Sequence, residues 1–240
     1  MHKTIEPAIL YFGTPVVLIS TVNEDGSINL APSSSIFWLS WSCMIGLDAT
    51  SKTVENLKRT GECVLNLASD EQVEAVNNIA KTTGSKKLPL HKKVWGYQHE
   101  KNKFERAGMT EQPSVDVKPS RAKECPVQLE AKLCSIRSFG KDSDKMPGPC
   151  VTIELDVLKV HAHESILVDK EKDYVDPDKW HPLIMSFRKF YSTRKYIHHS
   201  TLSEGGENQY ATWKRKGLVR KLTEWLLARS TSKFKHVSDE

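Results

Sequence analysis

The sequence lacks closely paired cysteines and the motifs of common metal and nucleotide sites. Its 240 residues include five cysteines, and no two of them are spaced as CxxC. The odd count and the spacing argue against a disulfide framework and against a structural zinc site. GxGxxG, GxxxxGKS, GxSxG and HExxH are absent, so a Rossmann domain, a P-loop, a serine-hydrolase elbow and a zinc-protease helix are not indicated.

The sequence also lacks long apolar runs and a strong charge of one sign. No apolar run approaches the roughly 20 residues of a membrane span, and residues 1–7 lack the apolar core of a signal peptide. We therefore expect a cytoplasmic protein without a membrane partner. The net charge of +5 is mild, and an anionic small molecule, such as a phosphate ester, is at least as compatible with it as nucleic acid.

Strand and helix signals alternate over the first 80 residues. A β-branched stretch at 16–22, an Asp-Gly turn and a return strand at 27–31 predict a hairpin. Buried strands are predicted at 36–39, 43–47 and 62–67. Short helices are predicted over 52–60, between an N-cap serine and a C-terminal glycine, and over 70–80, after a capping box.

The pattern changes after residue 80. Residues 81–103, here called the lysine-rich segment, predict a surface excursion, and residues 104–107 predict one helical turn. Apolar residues with a period of two, starting at 127 and at 151, predict two long antiparallel strands. Residues 208–240 predict a basic amphipathic helix and tail that follow a domain at 1–207. This helix favours packing on its own core or on a subunit over nucleic acid or a membrane.

The start of the 52–60 helix is a candidate phosphate site. Helix N-termini carry unpaired N–H groups and a partial positive charge, and both attract phosphate. The hydroxyls of Ser51 and Thr53 and the ammonium of Lys52 would complete such a site. The other interpretation is that Ser51 only caps the helix and Lys52 is solvated.

Residues 31–35, here called the serine segment, form a second candidate site. Pro32 lacks an N–H and therefore predicts an edge strand or a bulge. Small side chains let a ligand approach the backbone, and backbone amides could bond the polar edge of a flat ring. An ordinary irregular loop is the other interpretation.

Histidines and cysteines elsewhere do not indicate a reactive site. His161 and His163 share one strand face and could bind a metal, but nothing nearby supplies further ligands, so a solvent-facing pair is expected. Cys43 and Cys63 lie in apolar strands without a nearby base, so core packing is expected.

Several segments in order resemble the flavin reductase-like, FMN-binding split-barrel family, which includes the flavoredoxins. The resemblance covers roughly residues 8–200. It rests on the Asp25-Gly26 hairpin, NLAPS at 29–33, KTVEN at 52–56, ECVLNL at 62–67, KFERAGMT at 103–110 and AKECPVQLE at 122–130.

The resemblance implies a mainly β (α+β) fold, an antiparallel Greek-key split β-barrel with peripheral helices, in a homodimer that binds FMN. It implies hydride transfer from NADH or NADPH to the flavin and then to a small-molecule or protein acceptor, with no catalytic side chain of its own. Carried over, the ring and ribityl chain would contact Asn29, Ala31, Pro32, Ser33, Ser34 and Ser35. Trp38 would flank the ring, and Ser51, Lys52 and Thr53 would hold the phosphate.

Two other functions stay open on the sequence. The protein could be a flavin-binding electron carrier without nicotinamide activity. It could also be a non-enzymatic split barrel that binds a partner through its basic C-terminal helix. Because that helix lies beyond the matched segments, it could either lengthen a dimer contact or cover the flavin.

Overall fold

The computed structural model describes residues 1–141, 143, 145–146, 148–169 and 173–200. The chain divides into two units, Met1–Lys195 and Tyr196–Glu240, and all elements described below belong to the first. The helix predicted over residues 208–240 lies outside the described residues. None of the described helices is long and apolar enough to cross a membrane.

Strands dominate the first unit. They are β1 (Phe12–Pro15), β2 (Val17–Val22), β3 (Ile28–Ser33), β4 (Ile36–Leu39), β5 (Ser42–Asp48), β6 (Glu62–Leu67), β7 (Thr82–Thr83), β8 (Gln98–His99), β9 (Glu111–Gln112), β10 (Arg121–Ala122), β11 (Val127–Phe139), β12 (Cys150–Ala162), β13 (Leu183–Ser186) and β14 (Lys189–Ser192). The helices are α1 (Lys52–Thr60), α2 (Val73–Ile79), α3 (Leu90–Val94) and α4 (Lys103–Ala107), with 3-10 turns at Asp70–Gln72 and Glu164–Ile166.

One antiparallel sheet of seven strands organises the fold. Its order is β3-β2-β6-β11-β12-β5-β4, so β3 and β4 are its edges. A smaller sheet has the order β1-β13-β14. The predicted hairpin and the two long antiparallel strands are confirmed, but the small sheet of β1, β13 and β14 was not predicted.

Strand β2 is buried on both faces, which explains why apolar residues occupy consecutive positions at its start, Val17, Leu18 and Ile19. One face joins a core that includes Ile19, Leu65 and Ile153 together with the buried side of α1. The other face joins a second core with Leu30, α2 and α4. Because α1 and β2 share the first core, the helix is held against the β2 strand of the hairpin.

Helix α1 has the predicted bounds. The Ser51 side chain accepts a hydrogen bond from the N–H of Val54, and Gly61 takes the left-handed conformation (φ +69°) that ends the helix. The capping box before α2 is also present, between Ser69 and Gln72, although the first turn there is a 3-10 turn. The capping signals therefore predicted the start of α1 and the start of the 3-10 turn at Asp70, whereas α2 itself begins three residues later, at Val73.

The lysine-rich segment lies at the surface along most of its length, as predicted, but it also contains regular elements and buried side chains that were not predicted. It forms β7, α3 and β8, and it buries the side chains of Thr82, Thr83, Lys92 and Lys103. The lysine content did not indicate this burial. The aliphatic part of a lysine side chain can pack against the protein while its amine bonds a polar group.

His161, in β12, and His163, just after it, are not a solvent-facing pair, so this expectation is wrong for His161. Its Nε2 lies 2.7 Å from Oε1 of Glu130, which is fully buried. His163 is exposed, and its side chain caps the 3-10 turn that follows β12. The two long strands explain the first contact, because His161 lies opposite Gln128, two residues from Glu130.

Both strand cysteines lie in the core as predicted. Cys43 and Cys63 are buried. Burial raises the pKa of the Cys43 thiol to about 12, so it stays protonated at neutral pH and is a poor nucleophile.

Candidate functional site

A buried polar network joins α1 to the β2–β3 hairpin. Nδ2 of Asn56 donates to Oγ1 of Thr21 at 3.0 Å and to Oδ1 of Asn23 at 2.9 Å. Nδ2 of Asn29 lies 3.4 Å from Oγ1 of both Thr21 and Thr53. The network thus brings together two residues of the predicted site, Asn29 from the hairpin and Thr53 from the first turn of α1.

Two predicted site residues carry buried polar atoms without a partner. Among the described residues, three buried side-chain nitrogen or oxygen atoms have no hydrogen bond: Thr14 Oγ1, Asn29 Oδ1 and Trp38 Nε1. Nearly all buried polar groups in proteins are hydrogen-bonded. A flavin ring carries both donors and acceptors on its edge, so an unpaired acceptor at Asn29 and an unpaired donor at Trp38 fit such a ligand.

The serine segment runs along the edge of the sheet, as Pro32 predicts. Pro32 lies in β3, which is an edge strand, and pairs with Leu18 of β2. The carbonyl of Ser35 accepts from Gly46 N–H at 2.8 Å, and the Ser35 hydroxyl lies 2.6 Å from the hydroxyl of Tyr11. These contacts fix the end of the segment, and Tyr11 is a contact residue that sequence analysis missed.

Lys52 is paired with two carboxylates. Its Nζ lies 2.7 Å from Oε2 of Glu24 and 3.0 Å from Oε1 of Glu55. The hydrogen bond from Lys52 is the main cause that lowers the pKa of Glu24 to about 2. The ammonium is therefore not simply solvated, and a bound phosphate would have to share it with these carboxylates.

Ser51 caps the helix, as one of the two interpretations predicted. Its Oγ accepts from Val54 N–H at 3.3 Å. A hydroxyl that accepts one hydrogen bond can still donate another. The cap therefore leaves the Ser51 proton available to an anion.

The lysine-rich segment lies directly against these residues. A Cβ on Gly84 would stand 2.7 Å from Oδ1 of Asn29 and 3.0 Å from Cγ of Lys52, so the backbone at Gly84 touches both side chains. Gly84 can take this place because it has no side chain. No sequence signal pointed to Gly84, because its contacts come from distant parts of the chain.

Asp48 anchors the lysine-rich segment just before α1. Its Oδ2 lies 3.0 Å from Nε2 of His91 and 3.3 Å from Nζ of Lys92, and its Oδ1 accepts from Thr50. Burial alone would raise the pKa of Asp48, but the hydrogen bonds from Thr50 and His91 outweigh burial and hold the pKa at about 2. Asp48 is thus charged at neutral pH and keeps α3 beside the start of α1.

Comparison with known proteins finds one family over most of the chain. Residues 9–194 match the model of the flavin reductase like domain. The uncharacterized protein YdfE of Bacillus subtilis is 37% identical over 202 residues, which are 84% of this chain and 94% of that protein. An uncharacterized protein of Methanothermobacter thermautotrophicus is 30% identical over 175 residues, which are 71% of this chain and 73% of that protein.

Solved structures share the fold. Flavoredoxin of Desulfovibrio vulgaris matches 85% of this chain and 100% of its own with a TM-score of 0.67 and 18% identity. Nitrilotriacetate monooxygenase component B of Bacillus cereus matches 78% of this chain and 88% of its own with a TM-score of 0.61 and 18% identity. At this identity the likeness bears on the fold alone, and it confirms the predicted antiparallel split barrel.

Proposed function

The chain belongs to the flavin reductase-like family, and from this we propose that it binds FMN and transfers hydride to it from NADH or NADPH. The electrons then pass to a small-molecule or protein acceptor. One structural observation supports FMN binding in addition to family membership. Asn29 keeps an unpaired buried oxygen and is bonded through its amide nitrogen to Thr53, at the start of a helix whose first N–H groups attract phosphate.

Different residues of the site bind the ring and the phosphate of the cofactor. Asn29, Trp38 and the serine segment hold and orient the ring, and residues 51–53 bind the phosphate with hydroxyls, backbone N–H groups and the Lys52 ammonium. Bound FMN supplies the hydride acceptor, which no side chain of the site provides. The polypeptide fixes the position of the ring, and no acid–base side chain is needed because the cofactor carries the chemistry.

We also propose that a second copy of the chain covers edge strand β4. Phe37 and Leu39 project from this strand and are 53% and 72% exposed, and exposed apolar side chains on an edge strand favour association. Light scattering would distinguish a dimer from a single chain of 27.2 kDa.

Anaerobic absorption spectroscopy tests the proposed activity. FMN-loaded protein should show flavin bands in the visible range, and NADH or NADPH should bleach them much faster than they bleach free FMN at equal concentration. Free FMN with the same nicotinamide is the control.

The other outcomes separate the alternative functions. Flavin bands that persist would indicate an electron carrier that another protein reduces. A colourless protein that does not bind added FMN would contradict the proposed function.

A further inference from the structure

Helix α3 turns its apolar side chains toward solvent and a charged side chain toward the protein. Leu90 and Val94 lie four residues apart, on one face of the helix, and are 77% and 76% exposed. Lys92 lies on the other side and is only 6% exposed. A surface helix normally has the reverse arrangement, with its apolar face toward the core. The orientation of α3 therefore leaves an apolar face that the described residues do not cover.

Specific contacts hold α3 in this orientation. Nζ of Lys92 lies 3.3 Å from Oδ2 of Asp48, and Nε2 of His91 lies 3.0 Å from the same oxygen. The ring of Trp95, which is half exposed, packs edge-on against His91 with the ring centroids 5.2 Å apart. The contacts with Asp48 thus fix the polar side of the helix on the protein, and the apolar face cannot turn inward without breaking them.

Exposed lysines flank the apolar face along the chain. The lysine-rich segment contains seven lysines and one acidic residue, a net charge of +6, whereas the net charge of the whole chain is +5. Three of these lysines lie on or just before α3, are exposed and form no salt bridge with another described residue. The name α3 patch is used below for the exposed residues on and beside the helix: Lys86, Lys87, Leu90, Lys93, Val94 and Trp95.

The chemistry of the α3 patch selects among binding partners. Its lysines attract an anionic surface. A nucleic-acid site combines basic residues with aromatic rings on which bases stack, whereas two of the three apolar side chains here are aliphatic. An anionic membrane surface suits both kinds of side chain, because its headgroups are negative and its acyl chains begin just below them. A protein partner would need a matching pocket, whereas projecting side chains enter lipid without one.

We propose that the α3 patch binds the surface of a membrane that contains anionic lipids. Its three apolar side chains enter the boundary between headgroups and acyl chains, where tryptophan is common, and its three lysines reach the headgroups. The expectation of a protein without a membrane partner rested on the lack of long apolar runs, which a surface contact does not require. The inference goes beyond the proposed function and does not depend on it.

Sedimentation with lipid vesicles tests the inference on the full chain, without flavin. The protein should bind vesicles of phosphatidylcholine and phosphatidylserine, in a ratio of about three to one, at least about tenfold more tightly than vesicles of phosphatidylcholine alone. Binding to the mixed vesicles should weaken as the salt concentration rises, because salt screens the charges. Equal affinity for the two kinds of vesicle, or no binding to either, would overturn the inference.

Lysine substitutions locate the binding surface, which is necessary because residues 208–240 also predict a basic amphipathic helix. The triple change Lys86→Gln, Lys87→Gln and Lys93→Gln should weaken binding to the mixed vesicles by about a hundredfold, since each lysine near an anionic surface contributes several-fold. The matched control changes three exposed lysines elsewhere in the same way: Lys118→Gln, Lys123→Gln and Lys132→Gln. The control should lose much less affinity, and equal losses in the two triple variants would contradict a defined patch.

Substitutions on the apolar face distinguish lipid from an acidic macromolecule. Leu90→Ser with Val94→Ser should weaken binding to the mixed vesicles by about tenfold or more. Leu10→Ser with Val115→Ser, at exposed apolar positions elsewhere, is the control and should bind like the unmodified protein. Unchanged binding by the first double variant would show attraction by charge alone, as for an acidic protein or nucleic acid, and would overturn the inference. If that variant does not fold in a urea denaturation control, the lysine substitutions still decide.

Tryptophan emission shows which part of the chain enters the lipid. Binding to the mixed vesicles should shift the emission to shorter wavelength as Trp95 leaves water. Trp95→Phe should still sediment with the vesicles but should lose this shift. A shift that persists in Trp95→Phe would place the inserted residues elsewhere in the chain and would overturn the inference.

Discussion

Replacing both Lys52 and Thr53 by alanine should weaken FMN binding by about a hundredfold or more. Two hydrogen bonds to a charged phosphate contribute roughly 1.5–3 kcal/mol each, and about 1.4 kcal/mol corresponds to a tenfold change in Kd. The structure adds a second cause. Without the Lys52 ammonium, the carboxylates of Glu24 and Glu55 would remain beside the phosphate and repel it.

Flavin fluorescence titrations measure this effect. Lys58→Ala is the matched control, because Lys58 is exposed in the last turn of α1. Riboflavin should lose much less affinity than FMN, because it has no phosphate. Circular dichroism should verify that the double variant folds, since Thr53 is buried and bonded to Asn29. Unchanged FMN affinity in a folded double variant would show that the phosphate binds elsewhere.

Glu130→Ala should cost about 3–5 kcal/mol of stability, because removal of one partner leaves buried polar groups without bonds. The Glu130 carboxylate accepts from the N–H groups of Val115, Asp116 and Val117 at 2.6–3.2 Å and is bonded to His161. Burial alone would raise its pKa, but these hydrogen bonds outweigh burial and keep the pKa below its ordinary value. The carboxylate therefore stabilises the fold above about pH 4.3, and this contribution is lost as the pH falls through its lowered pKa.

Urea denaturation measures the loss. Glu105→Ala, at an exposed position in α4, is the control and should change the unfolding free energy by less than about 0.5 kcal/mol. Glu130→Gln should lose less than Glu130→Ala, because its amide oxygen can still accept. A loss for Glu130→Ala no larger than that of the control would contradict the structural role assigned to this carboxylate.

Local signals explain why part of the fold was predictable. The bounds of α1 were predictable because its capping serine and its terminal glycine each act within one turn of the helix. The burial of Lys92 and Lys103 was not predictable from such local signals. Their burial depends on Asp48 and Thr82, and composition alone does not show which distant groups will meet them.

Side-chain contacts between strands were also not predictable from local signals. The bond from His161 to Glu130 spans 31 residues and depends on the register of β11 and β12, which shifts at two irregularities. A pattern with a period of two predicts the strands but not such shifts.

The candidate site was only partly predictable from the sequence. The helix start pointed to Thr53 and the resemblance to Asn29, whereas the structure added Tyr11 and Gly84 and the pairing of Lys52 with two carboxylates.

The position of the flavin in crystals grown with FMN tests the central claim most directly. Electron density should place the phosphate at the first N–H groups of α1, next to Thr53, and the ring along the serine segment in contact with Asn29. Flavin density at another place on the protein, with nothing bound at the start of α1, would contradict the account.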